Sequence, residues 1–370
     1  MSDLTLVLLG AGDSTRFGMP PKKQWLWIDE RPLWLHLLEK FTDMLQAPAI
    51  ITSTPQEKPF FEKYCDATVV EGGTTRQESI QRALEYVSTP YVLISDIARP
   101  CIQEPIVHEL LRHKEYDCVA PAITPADTVV YKNETIDRDQ VRLIQTPQLS
   151  KVDWLKEALG SGSFTDESSA IRAIGGKVLY IPGDRRQHKL TYKEDLKLLE
   201  CLTPPKDERL GGLGYDVHPF CEDRPLVLGG VRIPHHKGLA GHSDADVAIH
   251  ALIDALLGAA GFGDIGELFP DSDQAYKEID SKVLLTKCGE LLRSCGFVID
   301  GADLTIIAQE PKIAPYKSHI QKSLAQILQI PKHRINIKAT TTERLGFVGR
   351  KEGIAAQAIA YLHYYDWSRA

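Results

Sequence analysis

Asp216 and His218 stand two residues apart near the start of the second half of the chain, and His250 and Asp254 stand four apart further on. On a strand, alternation puts Asp216 and His218 on one face. On a helix, His250 and Asp254 share a face as well. Two imidazoles and a carboxylate are the donor set of a zinc ion that keeps its fourth tetrahedral position for a substrate. Asp216, His218 and His250 are therefore the candidate zinc ligands, with His242-Ser243-Asp244 close by in sequence. A lone helical histidine is more often structural, and the nearby Asp-x-His shifts that balance towards a ligand. His235-His236 compete for the role, but beside Lys237 they read as an exposed turn and stay outside the set.

The first half carries a different chemistry. Gly10-Ala11-Gly12-Asp13-Ser14-Thr15-Arg16 follows an apolar run, and Pro20-Pro21-Lys22-Lys23-Gln24 comes next. The third glycine position of a dinucleotide fingerprint holds Thr15, and no Gly-Lys-Ser/Thr follows, which excludes both a Rossmann dinucleotide loop and a P-loop. What remains is a turn whose N–H groups can face phosphates, with cations behind it. Gly72-Gly73-Thr74-Thr75-Arg76 and Ser79 open a helix in the same manner. Asp96 ends a strand-like run, where a carboxylate in a nucleotide site is well placed to hold Mg²⁺.

These groups need elements to hold them. Residues 4–9 are a continuous apolar run, as in a strand covered on both faces. Leu33, Trp34, Leu37, Leu38, Phe41 and Leu45 recur at helical spacing within 32–45. Strand-like runs at 49–52, 68–70, 91–94 and 118–120 then alternate with helical patterns at 77–87 and 105–113. That alternation predicts an α/β domain with a mostly parallel, Rossmann-like sheet, whose ligands sit beyond the carboxyl ends of the strands. A helix is predicted to close at 196–201, and Thr203-Pro-Pro-Lys-Asp-Glu-Arg209 reads as a short, stiff, exposed connector. The expected organisation is a domain over 1–202, a linker over 203–210 and an α+β domain over 211–370. In the latter, a strand pair turns at Gly229-Gly230 and a helix spans 247–257.

A chain of 370 residues exceeds one ordinary core, and 43% hydrophobic with 25% charged residues is a globular composition. The net charge of −7 argues against a nucleic-acid partner. The first apolar run is too short to span a membrane and has no charged flank or cleavage site, so no membrane association and a cytoplasmic location are expected. Seven scattered cysteines without Cys-x-x-Cys predict reduced, mostly buried thiols with neither a disulfide framework nor a cysteine zinc site.

Over residues 4–200 these motifs resemble the methylerythritol phosphate cytidylyltransferases of isoprenoid precursor synthesis. Ala126-Asp127-Thr128, Arg138 ahead of Thr146-Pro147-Gln148, Thr165-Asp166-Glu167-Ser168 and Lys189-Leu190-Thr191 extend the match. The resemblance implies that Arg16 and Lys23 stabilise the pentacoordinate phosphorus of CTP, with Gly10, Ala11 and Gly12 at the phosphates. It implies that Arg138, Lys189 and Thr128 hold methylerythritol phosphate, that Gly72, Arg76 and Ser79 line base and ribose, and that Asp96 holds Mg²⁺ beside Arg99. Asp13-Ser14 and Ile97 depart from the family pattern, which is richer in glycine in the loop and has a small residue beside the aspartate.

Residues 210–368 look like methylerythritol cyclodiphosphate synthase. The strings that carry this are Gly263-Asp264-Ile265-Gly266, Leu268-Phe269-Pro270-Asp271-Ser272-Asp273, Ala308-Gln309-Glu310-Pro311-Lys312, and Ala339-Thr340-Thr341-Thr342-Glu343 with Gly346-Phe347 and Gly349-Arg350. By that resemblance Asp216, His218 and His250 bind Zn²⁺, and Glu343 holds a second ion, Mg²⁺ or Mn²⁺. His242 and Thr341 are implied to be catalytic; His242, Ser243, Asp264, Ile265, Gly266, Phe269, Asp271 and Asp273 contact the methylerythritol part, and Asp254 is a further substrate-binding residue. Ala308, Lys312, Ala314, Thr340, Thr341, Thr342, Phe347 and Arg350 surround the cytidine.

Together the halves imply a bifunctional enzyme acting on CTP, methylerythritol phosphate and CDP-methylerythritol 2-phosphate. The synthase family forms trimers with shared sites, so a homotrimer is implied, with higher-order assembly left open. A separate kinase must act between the two steps and is a candidate partner. The residues alone leave open a nucleotidyltransferase of other specificity fused to a metal-binding trimeric scaffold.

Overall fold

The computed structural model describes residues 2–241, 243–270 and 279–369. They form two compact units, Met1–Pro205 with Asp366–Ala370, and Lys206–Tyr365.

The first unit is built on an eight-stranded sheet. Leu4–Leu9 lies between Ala49–Ser53 and Tyr91–Asp96, parallel to both, and Thr68–Glu71 continues the parallel series. Beyond Tyr91–Asp96 the sheet becomes mixed. Gln148–Lys151 runs antiparallel between Tyr91–Asp96 and Cys118–Ile123, and Leu143–Ile144 and Val178–Pro182 also pair with Cys118–Ile123. Its one apolar residue, Leu149, provides no periodic signal, so the Gln148–Lys151 strand is invisible to pattern reading. Helix Leu33–Leu45 buries Leu33, Trp34, Leu37, Leu38 and Phe41. Helix Arg76–Leu84 starts where Thr75 accepts a hydrogen bond from the Glu78 amide, a helix N-cap.

Three expectations are corrected here. The segment predicted to close a helix at 196–201 forms only a 3₁₀ turn, Lys193–Leu198. Cys101 and Cys201 are joined by a disulfide across 100 residues, with Cα atoms 5.6 Å apart, while Cys65, Cys118, Cys221, Cys288 and Cys295 are free. Sequence spacing could not show this pair. Leu199 and Leu202, on either side of Cys201, are buried, as are Cys101 and Ile102. Last, the sequence reading carries the second domain to 370, yet Asp366–Ala370 belongs to the first unit. There Trp367 is buried and its Nε1–H donates to the Trp27 carbonyl at 2.8 Å.

The second unit is an α+β sandwich. Its sheet runs Gly238–Leu239, Leu210–Cys221, Gly353–Tyr364, Phe297–Ile307, Ile335–Thr340. All pairs are antiparallel except the last, a parallel pair connected through helix Lys317–Leu328. The predicted strand pair is present as Leu226–Leu228 and Val231–Ile233, turning on Gly229 and Gly230, both at positive φ. Helix Val247–Ala260 lies across Leu210–Cys221 and Gly353–Tyr364. Two glycines set that contact. A Cβ on Gly212 would come within 2.1 Å of the Ala255 carbonyl oxygen, and one on Gly214 within 1.9 Å of that of Ala251. Alternation places Gly212, Gly214, Asp216 and His218 on one face. Stepping along that face, the strand therefore meets Ala255, then Ala251, then His250. On the other face Leu213, Tyr215, Ile359 and Tyr361 are 60%, 54%, 39% and 48% exposed. Among the described residues, no helix is long and apolar enough to cross a membrane.

Candidate active sites

In the first unit the parallel strands deliver their carboxyl ends to one cavity of about 340 Å³. Gly10, Ala11, Gly12, Arg16, Lys23, Arg76, Ser79, Asp96 and Lys189 all line it. The glycines allow close stacking of loops. A Cβ on Gly10 would lie 2.7 Å from the Thr52 carbonyl oxygen, and one on Gly72 would lie 2.2 Å from the Ala11 Cβ. Ser79 supports the second loop from below, accepting from the Gly73 amide at 3.1 Å and donating to the Thr75 carbonyl at 3.0 Å.

Asp96 is the anchor of this site. Its Oδ1 accepts from Arg76 Nε at 3.0 Å and its Oδ2 from Lys189 Nζ at 2.6 Å. Burial pushes its carboxyl up, but the adjacent Arg76 and Lys189 charges outweigh that and hold it well below the usual carboxylate range. Arg76 also makes a bidentate pair with Glu167, at 3.0 and 3.1 Å. Lys23 is pushed below the usual lysine value, first by burial and then by the charges of Lys189 and Arg16. A cluster of cations around one buried carboxylate is a receptacle for polyphosphate.

Two buried carboxylates, Glu57 and Glu167, brace this cluster, and pattern reading overlooks the first. Glu57 is buried and accepts from Trp25 Nε1 at 2.6 Å and Thr54 Oγ1 at 2.7 Å, with Lys22 Nζ at 3.3 Å. The neighbouring Gln24 donates to the Gly12 carbonyl at 3.1 Å and accepts from Ser14 Oγ at 3.0 Å, so the loop is braced from inside. Fully buried Glu167 fixes Arg76. The Thr165-Asp166-Glu167-Ser168 string flagged Glu167, but its role emerges only in three dimensions. Both departures from the family pattern find a place. Asp13 is exposed and outside the cavity lining, and the Ile97 side chain packs over Gly10.

The structure does not bring every predicted residue here. Arg99 donates to the Gln187 carbonyl at 2.6 Å and lines a neighbouring cavity of about 990 Å³, which shares Lys189. Thr128 and Arg138 are exposed and line neither cavity; Arg138 donates to the Ala126 carbonyl at 2.5 Å.

In the second unit Asp216, His218 and His250 converge as the spacing predicts. Asp216 Oδ2 lies 2.9 Å from His218 Nε2 and 3.1 Å from His250 Nδ1, and the two ring nitrogens are 3.1 Å apart. Each imidazole is oriented through its other nitrogen. His218 Nδ1 is 2.8 Å from the Ala240 carbonyl, and His250 Nε2 is 3.0 Å from both Ser243 Oγ and Ser281 Oγ. Ligand atoms about 3.3 Å apart suit a tetrahedral zinc with bonds of about 2.0 Å, and such second-nitrogen bonds are what metal-bound histidines make. The donor set therefore fits zinc. Burial pushes the Asp216 carboxyl up, but the hydrogen bonds from His218 and His250 bring it below its ordinary range.

Around this cluster, Asp254 accepts from the Ile265 amide at 2.8 Å, and Asp264 caps helix Ile265–Leu268, which includes Gly266 and ends at buried Phe269. The remaining candidates lie elsewhere on the sheet. Asp216 is in register with Ala356, that with Ile306, and that with Ala339. Thr340 thus ends, and Thr341, Thr342 and Glu343 follow, a strand three steps away, about 14 Å at ~4.8 Å per strand. Glu343 accepts from Thr341 Oγ1 at 2.8 Å, and Ala308 donates to the Thr340 carbonyl at 3.0 Å. Lys312, Ala314 and Phe347 are exposed near that edge in sequence, and Arg350 pairs with Glu352 at 2.8 Å. His242, Asp271 and Asp273 lie outside the described residues.

The folds and clusters define a two-site phosphate-handling enzyme: an α/β nucleotidyltransferase type of domain, and a metal-site α+β domain. Residues 4–203 match the family model for 2-C-methyl-D-erythritol 4-phosphate cytidylyltransferase, and residues 210–363 match that of the YgbB family. The chain is 64% identical to the bifunctional enzyme IspD/IspF of a Nitratiruptor species, and 49% identical to that of a Sulfurovum species. Each comparison covers 100% of both chains. The solved structure of the bifunctional IspDF from Campylobacter jejuni is 43% identical and superposes with a TM-score of 0.87 over 100% of both chains.

The chain belongs to the bifunctional IspD/IspF family. It combines methylerythritol phosphate cytidylyltransferase and methylerythritol cyclodiphosphate synthase activities of the isoprenoid pathway.

Proposed function

We propose that the cluster around Asp96 performs the cytidylyl transfer and that the Asp216 cluster performs the cyclisation, with the residue roles the family pattern implies. In the first reaction a phosphate oxygen of methylerythritol phosphate attacks the α-phosphorus of CTP, and the bond to pyrophosphate breaks. Arg16 and Lys23 neutralise the charge that gathers on phosphorus. Lys189, which donates to Asp96, would hold the substrate phosphate together with Thr128 and Arg138 from the exposed segment that carries them, and Asp96 would hold Mg²⁺.

In the second reaction the substrate's own phosphate attacks its β-phosphorus and CMP leaves. The chain supplies position and charge rather than a nucleophile. Asp216, His218 and His250 would hold a zinc ion, which would supply Lewis-acid polarisation at the β-phosphate. Glu343 is the carboxylate for Mg²⁺ or Mn²⁺. Because Glu343 follows strand Ile335–Thr340, which lies three strand steps, about 14 Å, from the strand of Asp216, we assign the cytidine-side residues to a neighbouring copy in a homotrimer. The exposed apolar face of Leu213, Tyr215, Ile359 and Tyr361 supports that assembly.

The observation that carries this reading is the mutual approach of Asp216 Oδ2, His218 Nε2 and His250 Nδ1 within 3.1 Å. The first site is tested by pyrophosphate release from CTP and Mg²⁺, with and without methylerythritol phosphate. Release should require methylerythritol phosphate and fall about 10²–10³-fold in Lys23→Ala. Release that ignores the acceptor, or that survives the substitution, overturns the loop assignment.

A further inference from the structure

A second group of metal-type donors lies in the Lys206–Tyr365 unit. One ligand atom each from His235, His236 and Glu310 falls within 4.8 Å of the others. The sequence suggests an exposed turn, but the His235 side chain is only 8% exposed. Its Nδ1 lies 3.0 Å from the Lys237 carbonyl oxygen. A hydrogen bond there puts the proton on Nδ1 and leaves the Nε2 lone pair available. The Lys237 amide is also near Nδ1, at a longer 3.3 Å, and donating to it would demand the opposite tautomer.

His235 Nε2 faces Glu310 Oε1 across 3.9 Å. That is too long for a hydrogen bond, and not far above the ~3.3 Å between two ligands on one tetrahedral zinc. The other carboxylate oxygen, Oε2, is held by Lys351 Nζ at 2.5 Å, which fixes the group and leaves Oε1 on the histidine side. The His236 ring centroid is 4.3 Å from that of His235, and this side chain is exposed.

We propose that His235 Nε2, His236 and Glu310 Oε1 bind a first-row transition-metal ion, with Zn²⁺ the best match, at a site separate from the Asp216 cluster. Two imidazoles and one carboxylate select such an ion over Mg²⁺. Three protein ligands leave one position for water. The ion clamps the segment between Val231–Ile233 and Gly238–Leu239 to the segment following Phe297–Ile307, the one expected to border the cytidine. Selection of the Nε2 lone pair by the metal also settles the His235 tautomer in favour of the carbonyl bond.

The test uses the full chain, stripped with a chelator and dialysed against Zn²⁺, with metal counted per chain by mass spectrometry. His236→Ala and Glu310→Gln should each hold one zinc fewer than wild type, or bind it at least about 100-fold more weakly. Excess Mg²⁺ should not displace it. The difference should persist when His250→Ala has removed the other cluster, which separates this proposal from the reading of the cyclisation site. Circular dichroism in chelator checks that the variants are folded. Equal zinc in wild type, His236→Ala and Glu310→Gln overturns the proposal, as does loss of all zinc in His250→Ala alone.

Discussion

At the scale of single residues, charge and burial at Lys23 make a measurable prediction. Its ammonium is partly buried and faces Lys189 and Arg16, so its proton leaves at a lower pH than an ordinary lysine's. The protonated form is the one that stabilises negative phosphorus. The kcat/KM for CTP, which reports the free enzyme, should therefore fall as pH rises through this lowered value. Lys23→Arg should move that alkaline limb upward, because a guanidinium keeps its proton. An unchanged limb in Lys23→Arg would remove Lys23 from the titration. The charged lining of both sites was legible because metal ligands and phosphate-binding cations come as recognisable types at fixed spacings. Glu57 was not, and of Glu167 only the string that contains it was, not its role. Their work is to be buried against Trp25, Lys22 and Arg76, and burial of a carboxylate leaves no periodic trace in a sequence.

At the scale of elements, the geometry of the Asp216, His218 and His250 cluster depends on two positions without side chains. Gly214 lets helix Val247–Ala260 approach the strand so closely that a Cβ would lie 1.9 Å from a backbone oxygen, which cannot give way as a flexible side chain would. Gly214→Ala should displace the helix and with it His250. We expect a loss of about 1–3 kcal/mol of stability, together with reduced zinc content and cyclisation and unchanged cytidylyl transfer. Retained zinc stoichiometry in this variant would mean that the helix is positioned by other contacts. The helix itself was readable from its apolar repeat, and the parallel strands from their apolar runs. The antiparallel Gln148–Lys151 was not, since a short strand at the centre of a sheet is defined by its neighbours rather than by its own pattern.

At the scale of the whole molecule, the sequence reading located the connector at the two prolines, and the compact units divide there, after Pro205. It could not foresee that the chain returns. Trp367 inserts into the first unit and donates to the Trp27 carbonyl. Removing a buried indole typically costs about 3–5 kcal/mol, so Trp367→Ala should lower the temperature at which cytidylyl transfer is lost while sparing cyclisation. Equal thermal inactivation of that activity in variant and wild type would show the tail to be dispensable. The return also separates the order of synthesis from the order of completion. A ribosome has to finish residues 206–365 before it can supply Trp367. The unit that is made first therefore waits, one indole short, until the unit made second has been translated. Each nascent chain finishes both domains at nearly the same moment, and a prematurely terminated product would carry a cytidylyltransferase lacking its last packing element.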